Sequence, residues 1–172
     1  MLREEILAPM AELKLKGMLA AYDEIVSAGV RKRSTPEKIR HELLLAEAAE
    51  REASRIRYRL GQARFPVFKD LDSFAWSALS REEPRIRTLC EGAFLAQHTN
   101  VTFVGGTGTG KTHLAIALGR QAIRSGSRVR FYNLLDLVNR LEQEKLAGQG
   151  GRTAEQLPCG VQVQSLNVTG ST

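Results

Sequence analysis

One segment predicts the architecture of this chain: Val101-Thr102-Phe103-Val104-Gly105-Gly106-Thr107-Gly108-Thr109-Gly110-Lys111-Thr112. It begins with an apolar run, continues as a glycine-rich turn and is followed by an apolar helical pattern from His113 to Ala122. It matches the phosphate-binding pattern G-x-x-x-x-G-K-[ST] at Gly105, Gly110, Lys111 and Thr112. The segment therefore predicts a buried strand over residues 101–104, a phosphate-binding turn and a helix.

The residue types in this turn suit phosphate binding for physical reasons. Glycine lets the backbone N–H groups point inward at a phosphate, because no side chain blocks the approach. The N-terminus of the following helix adds a partial positive charge beside the anion. We expect Lys111 to reach the β- and γ-phosphates and the Thr112 hydroxyl to ligate Mg²⁺. The predicted nucleotide-binding residues are Gly105, Gly106, Thr107, Gly108, Thr109, Gly110, Lys111 and Thr112.

Composition bounds the kind of protein. The 172 residues are 42% hydrophobic and 26% charged, which is ordinary for a globular domain with a helical appendage. No apolar run approaches the roughly 20 residues of a membrane span, and residues 1–5 do not resemble a signal peptide, so we expect a cytoplasmic protein without a membrane partner. Cys90 and Cys159 lack the spacing of a metal site or a disulfide framework. The net charge of +6 favours an anionic partner such as nucleic acid, although a merely basic surface is the alternative.

The N-terminal third is predicted to be helical. Apolar residues recur at intervals of three and four from Leu2 to Ser27, with a break or bend expected at Pro9 and at Gly17 and a C-cap at Gly29. A second helix should begin at Ser34-Thr35-Pro36-Glu37, where Ser34 caps and Glu37 completes a capping box, and run to about Gln62.

Arginines lie four residues apart on this second helix, at Arg51, Arg55 and Arg59. Glu47 is spaced to pair with Arg51, and Glu52 with Arg55. This charged face is either simply solvated or a contact surface for the backbone of nucleic acid.

The remaining two thirds predict an α/β domain. Phe65 to Trp76 is extended and marks its start, and Phe74 and Trp76 either line an adenine pocket or, more in keeping with their size, pack in the core. Residues 84–97 predict a helix, residues 127–132 a strand and residues 134–146 a helix. From Gln156 onward no charged residue remains, and Val161 to Gln164 alternate like a short strand. The expected domains are 1–66 (helical), 67–155 (a partial phosphate-loop domain) and 156–172 (an uncharged tail).

The chain resembles the IstB-like family of ATPases, which belong to the AAA+ class and accompany the transposases of bacterial insertion sequences. The resemblance is carried by residues 105–117, by Phe131-Tyr132, by residues 136–142 and by residues 13–18. It implies a helical N-terminal domain before an AAA+-like P-loop ATPase domain, with ATP and Mg²⁺ as cofactors. It also implies sequence-nonspecific binding of double-stranded DNA, a cognate transposase as partner and assembly into homo-oligomers.

The sequence departs from this family after about residue 155. Hydrolysis needs an apolar strand that ends in Asp with a neighbouring Glu, and no such segment follows Glu155. Asp136 leads a helical pattern and is followed by Leu137, so it is no substitute. We therefore expect no catalytic residues, deficient hydrolysis, doubtful oligomerisation and a domain that is incomplete at the C-terminus. A reading-frame change near residue 155 is one hypothesis for the loss of charge.

The family's fold places later strands between the strand before the phosphate loop and the next one. Here, either those two strands pair abnormally, or residues 161–163 fill the gap, or the region is loosely folded.

Three alternative functions also stay open at this point: a non-enzymatic DNA-binding remnant, a protein similar to helicase loaders, and a P-loop kinase of small molecules.

Overall fold

The structure is a computed structural model that describes residues 2–79, 81–97, 99, 101–148 and 161–165. Its elements are α1 (Leu2–Glu12), α2 (Lys16–Arg31), α3 (Pro36–Ala63), a 3-10 turn (Trp76–Ala78), α4 (Glu83–Cys90), α5 (Ala93–Ala96), α6 (Lys111–Arg124), β1 (Val129–Asn133), α7 (Leu134–Leu146) and β2 (Val161–Ser165). Within the described residues, no helix combines the length and the hydrophobicity that a membrane span requires.

The chain divides into two compact units, Met1–Arg57 and Tyr58–Thr172, and α3 continues from one into the other. The domain bounds expected from the sequence, 1–66, 67–155 and 156–172, remain predictions. Of the expected tail, only residues 161–165 lie within the described part of the chain.

In the first unit, two helices replace the single helix predicted from Leu2 to Ser27. The break falls at Leu13–Leu15, whereas Pro9 lies inside α1 and Gly17 inside α2. Lys14 adopts a left-handed conformation with φ 56°. The N–H of Leu15 then reaches the Met10 carbonyl at 2.9 Å, and this bond closes the end of α1 as glycine usually does.

The helices α2 and α3 meet at Gly17. A Cβ at this position would lie 2.7 Å from Glu47 Cα and even closer to the Ala46 carbonyl oxygen, so only glycine fits. Glu47 Oε2 accepts hydrogen bonds from the N–H groups of Gly17 at 2.8 Å and Met18 at 3.3 Å. These N–H groups belong to the first turn of α2, which has no intrahelical acceptor for them. Glu47, which is only 6% exposed, therefore caps α2 from the side of α3.

The corner between α2 and α3 differs from the prediction at both ends. Gly29 is no C-cap: it is buried inside α2, where a Cβ would lie 2.6 Å from Ile39 Cδ1. The left-handed residue is Arg33, with φ 51°, and the N–H of Ser34 bonds the Gly29 carbonyl. The cap of α3 is Thr35 instead of Ser34, because Thr35 Oγ1 accepts the N–H of Lys38 at 3.4 Å. Ser34 is one residue too early, since it already closes α2.

Ion pairs along α3 follow the predicted spacing. Glu47 pairs with Arg51 at 2.7 Å, and Glu52 pairs with Arg55 at 3.1 Å. The helix ends at Ala63, one residue beyond the predicted Gln62, and Arg64 follows in the left-handed conformation with φ 56°.

The second unit is built around the buried helix α6. Nine of its fourteen residues are buried, and Ile116 and Ile123 are completely enclosed. α6 packs against α4, β1 and β2. Gly126, with φ 93°, ends the helix and turns the chain into β1. The predicted helix over residues 84–97 is two helices, because Gly92 with φ 87° separates α4 from α5.

The described sheet has two parallel strands, β1 and β2, with Val129 opposite Val161 and Asn133 opposite Ser165. The strands predicted over residues 127–132 and at Val161 to Gln164 are thus confirmed, with small shifts in their ends. The helix α7 joins β1 to β2 and matches the predicted residues 134–146.

The strand predicted over residues 101–104 is wrong. These residues form no strand, and Val104 is 92% exposed. A strand needs hydrogen bonds from a neighbouring strand, and within the described residues β1 and β2 pair only with each other. The apolar composition of residues 101–104 does not supply that partner.

Candidate phosphate-binding site

The predicted site residues all lie in one turn, which we call the phosphate loop (residues 105–112). Gly105, Gly106, Thr107, Gly108 and Thr109 form its exposed part. Gly110 is half-buried and is the N-cap of α6, whose first two residues are Lys111 and Thr112. The turn therefore lies at the N-terminus of the buried helix α6, where backbone N–H groups lack intrahelical partners.

Two glycines give the loop its shape. Gly108 and Gly110 have φ 78° and φ 82°, a conformation that side chains disfavour. A Cβ at Gly110 would also lie 2.5 Å from Cε2 of Phe74. The loop thus follows a path that only glycine permits at these positions, and its backbone is open to an anion from the solvent side.

Lys111 bends over this loop. Its Nζ donates a hydrogen bond to the Gly106 carbonyl at 2.5 Å and lies 3.5 Å from Thr109 Oγ1. Thr109 Oγ1 donates to the same carbonyl at 2.9 Å. The ammonium group therefore sits at the mouth of the turn, beside the N-terminus of α6, and both contribute positive charge at one place.

The segment before α4 holds the base of the loop. Phe74 belongs to the core cluster with Ile86 and Leu114, and Trp76 packs against it. Core packing is thus the role of Phe74, as favoured from the sequence.

His113 links the start of α6 to the same segment. Its Nε2 lies 2.7 Å from the Asp70 carbonyl, so this nitrogen carries the proton, because a carbonyl only accepts. The His113 ring also meets the Phe74 ring edge-on at 5.0 Å. Sequence spacing gives no signal for the contact with Asp70, because the two residues lie 43 positions apart.

Metal-binding side chains do not gather in the described part of the chain. No group of three or more His, Cys, Asp or Glu residues there is placed to hold a metal ion. Asp136 is exposed on α7, in keeping with its helical setting. Of the cysteines, Cys90 is a free, half-buried thiol, and Cys159 lies outside the described residues.

A glycine-rich turn on the N-terminus of a buried helix, packed against parallel strands, defines the P-loop class of nucleotide-binding domains. Comparison with protein families narrows the class: the IstB-like ATP binding protein family matches residues 8–165. The chain belongs to this family.

Curated relatives come from bacterial insertion sequences. The chain is 38% identical over 116 residues to an ATP-binding protein of IS5376 from Geobacillus stearothermophilus. The aligned residues cover 67% of the chain and 45% of that protein. It is 39% identical over 100 residues to one of IS21 from Pseudomonas aeruginosa, covering 58% of the chain and 38% of the relative. For the IS1162 protein of Pseudomonas fluorescens the identity is 30% over 161 residues, which cover 91% of the chain and 69% of that relative. The chain thus matches less than half the length of the first two relatives.

Proposed function

We propose that the chain binds ATP with Mg²⁺ at the phosphate loop, as an ATP-binding helper of DNA transposition. The observation that carries this proposal is the backbone of the loop, with Gly108 and Gly110 at positive φ and Lys111 held at its mouth. The choice of ATP as the nucleotide is supported by the names of the relatives, which describe them as ATP-binding proteins of insertion sequences.

The loop residues fit a triphosphate. The N–H groups of Gly106 to Gly110 would donate hydrogen bonds to phosphate oxygens, and Lys111 would exchange its bond to the Gly106 carbonyl for one to the terminal phosphates. Thr112, in the first turn of α6, would place its hydroxyl on Mg²⁺. Bound Mg²⁺ would neutralise charge that develops on the β- and γ-phosphates.

We further propose that this chain binds ATP without hydrolysing it at a useful rate. A P-loop ATPase activates water with carboxylates at the end of a strand beside the loop. Here, β2 has the sequence Val161-Gln162-Val163-Gln164-Ser165 and contains neither Asp nor Glu. No acidic residue occurs in residues 156–172.

Nucleotide affinity and phosphate release on the purified chain test both proposals together. We expect Mg-ATP to bind the natural chain and to bind Lys111→Ala at least tenfold more weakly, because a charge-assisted contact to phosphate is worth roughly 1.5–3 kcal/mol. Lys145→Ala removes an equal charge from the end of α7 and serves as the control. Equal affinity of Lys111→Ala and the natural chain would refute the proposed site, and steady-state phosphate release above the Lys111→Ala background would refute the lack of hydrolysis.

DNA binding is proposed for a groove in the first unit. The groove has a volume of about 280 Å³, and its basic lining residues are Lys14, Lys16, Arg51 and Arg55. The acidic residues in it, Glu47 and Glu50, already pair with arginines. The lysines have no ion pair within the described residues, so their charge is available for phosphates of a DNA backbone.

The salt dependence of DNA affinity tests this groove. Removing two phosphate contacts by Lys14→Gln with Lys16→Gln should lower the slope of log affinity against log salt by roughly 2. The control is Lys32→Gln with Lys38→Gln, which removes the same charge from exposed positions outside the groove. Equal slopes in the two double variants would refute the groove as the binding surface.

A cognate transposase is the proposed protein partner, supported by the insertion-sequence origin of the relatives. Co-purification with the transposase of the same element tests it, and binding to a replicative helicase instead would favour the helicase-loader alternative. DNA retention that is unchanged by Mg-ATP and by Lys111→Ala would favour the non-enzymatic remnant.

Assembly into homo-oligomers is also proposed, from the resemblance to the family. It is tested by the molecular mass in solution with and without Mg-ATP.

A further inference from the structure

A second cleft lies along α6, away from the phosphate loop. It has a volume of about 220 Å³, and its charged lining residues are Asp70, Asp72, Arg87, Arg120 and Arg124. Arg120 is nine residues beyond Lys111, which places it about 13 Å further along the helix axis. A single triphosphate on the phosphate loop therefore does not account for this cleft.

Arg120 is the unusual residue in this cleft. It is only 5% exposed, and its Nε has no hydrogen-bond partner among the described residues. One face of the guanidinium stacks on the Phe68 ring at 3.3 Å from the centroid, so the edge that carries the N–H donors is left for another group. Buried arginines are normally paired, because desolvating an unpaired charge is costly.

The neighbouring charges do not satisfy Arg120. Burial and the charge of Arg124 both lower its pKa, and the charge of Asp70 offsets this only in part. Neither Arg120 nor Arg124 forms an ion pair within the described part of the chain, whereas Arg87 is already paired with Glu83 at 2.7 Å. An anion between Arg120 and Arg124 would relieve both the desolvation and the repulsion.

We propose that Arg120 and Arg124 form a second binding site, for a phosphate group. Two guanidinium groups four residues apart on one helix offer several N–H donors, which suits a tetrahedral oxyanion better than a single carboxylate. Asp70 and Asp72 oppose long-range attraction of an anion, so recognition must rest on direct hydrogen bonds. The phosphate belongs either to a nucleic-acid backbone or to a small molecule.

Thermal unfolding with inorganic phosphate tests the site, in a Lys111→Ala background that removes the phosphate-loop contact. A ligand at ten times its dissociation constant should raise the Tm by roughly 3–5 °C. Arg120→Met should abolish that increase, and it should not lower the Tm without phosphate, because it removes an unpaired buried charge. The matched control is Arg85→Met, whose side chain is 83% exposed on α4.

A second variant tests the sign of the charge effect. Asp72→Asn removes a carboxylate from the cleft wall and should tighten phosphate binding roughly two- to tenfold. Acetate at the same concentration should give no increase that depends on Arg120. Equal stabilisation of Arg120→Met and Arg85→Met by phosphate would overturn the proposal, as would an Arg120-dependent effect of acetate as large as that of phosphate.

Two further measurements distinguish the sources of the phosphate. If Arg120→Met also weakens binding of a short duplex DNA relative to Arg85→Met, the site takes a backbone phosphate. If DNA affinity is unchanged while the effect of inorganic phosphate is lost, the site takes a free phosphate or a phosphorylated small molecule. Both outcomes support the site, and neither depends on whether the phosphate loop binds ATP.

Discussion

Alanine in place of Gly17 should destabilise the first unit, although alanine favours helices. The gain in helix propensity is at most about 1 kcal/mol. Against it, the new Cβ would lie 2.7 Å from Glu47 Cα and closer still to the Ala46 carbonyl oxygen. Both atoms belong to the backbone of α3, so no side chain can rotate away, and α2 has to move. Overpacking of this kind costs about 1–3 kcal/mol, and the N–H groups capped by Glu47 would move with the helix.

The chain offers a matched control for this substitution. Gly61 also lies inside a helix, α3, but a Cβ there meets nothing within 4 Å. Gly61→Ala should therefore stabilise the chain by about 0.5–1 kcal/mol through propensity and the entropy of the unfolded state.

Urea unfolding followed by far-ultraviolet circular dichroism measures both effects. We expect the midpoint to fall by roughly 0.5–1 M for Gly17→Ala and to rise by up to roughly 0.5 M for Gly61→Ala. If Gly17→Ala were as stable as the natural chain while Gly61→Ala gained stability, α2 and α3 could not be in backbone contact at this position, and the reasoning would fail.

Two further predictions concern Glu47 and the phosphate loop. The Arg51 guanidinium holds the pKa of Glu47 below its usual range. The ionised Glu47 carboxylate therefore stabilises the fold fully above its pKa in the unfolded chain, about 4.3, and this stabilisation is lost as the pH falls through the pKa of the folded chain. Urea midpoints between about pH 6 and pH 3 should thus fall more steeply for the natural chain than for Glu47→Gln, and parallel curves would contradict this. Gly110→Ala should lower both stability and Mg-ATP affinity, because the residue has a positive φ and its new Cβ would clash with Phe74. In Gly106→Ala the new Cβ meets no atom within 4 Å, so this variant should preserve the Tm. A similar loss of Tm in both glycine variants would argue against the Phe74 contact.

Local patterns predicted the helices well where the chain signals its own start and spacing. α3 is predicted by apolar residues every three or four positions behind Thr35-Pro36, and α6 by the motif that precedes it. The alternation in β1 and the periodicity in α7 were sufficient for the same reason. Each of these signals lies within about ten residues of the element that it specifies.

Features that depend on distant residues could not be predicted in this way. Glu47 looked like a surface residue paired with Arg51, and its burial under the start of α2 depends on a glycine thirty positions away. Its spacing of four from the buried Leu43 was the signal that could have revealed it. The absence of a strand at residues 101–104 is likewise non-local, because it depends on which other strand is available.

The first three helices, α1, α2 and α3, are each followed within two residues by a basic residue in the left-handed conformation, which glycine adopts without strain. Lys14, Arg33 and Arg64 hold φ values of 56°, 51° and 56°, and each such conformation strains a side-chain-bearing residue by about 1 kcal/mol. Three of the 25 lysines and arginines thus hold a left-handed backbone conformation within the described part of the chain. Glycine at any of the three is a direct route to a more heat-resistant protein. If one of these glycine variants gains stability but loses activity, the basic residue at that position is needed for its charge in spite of the backbone strain.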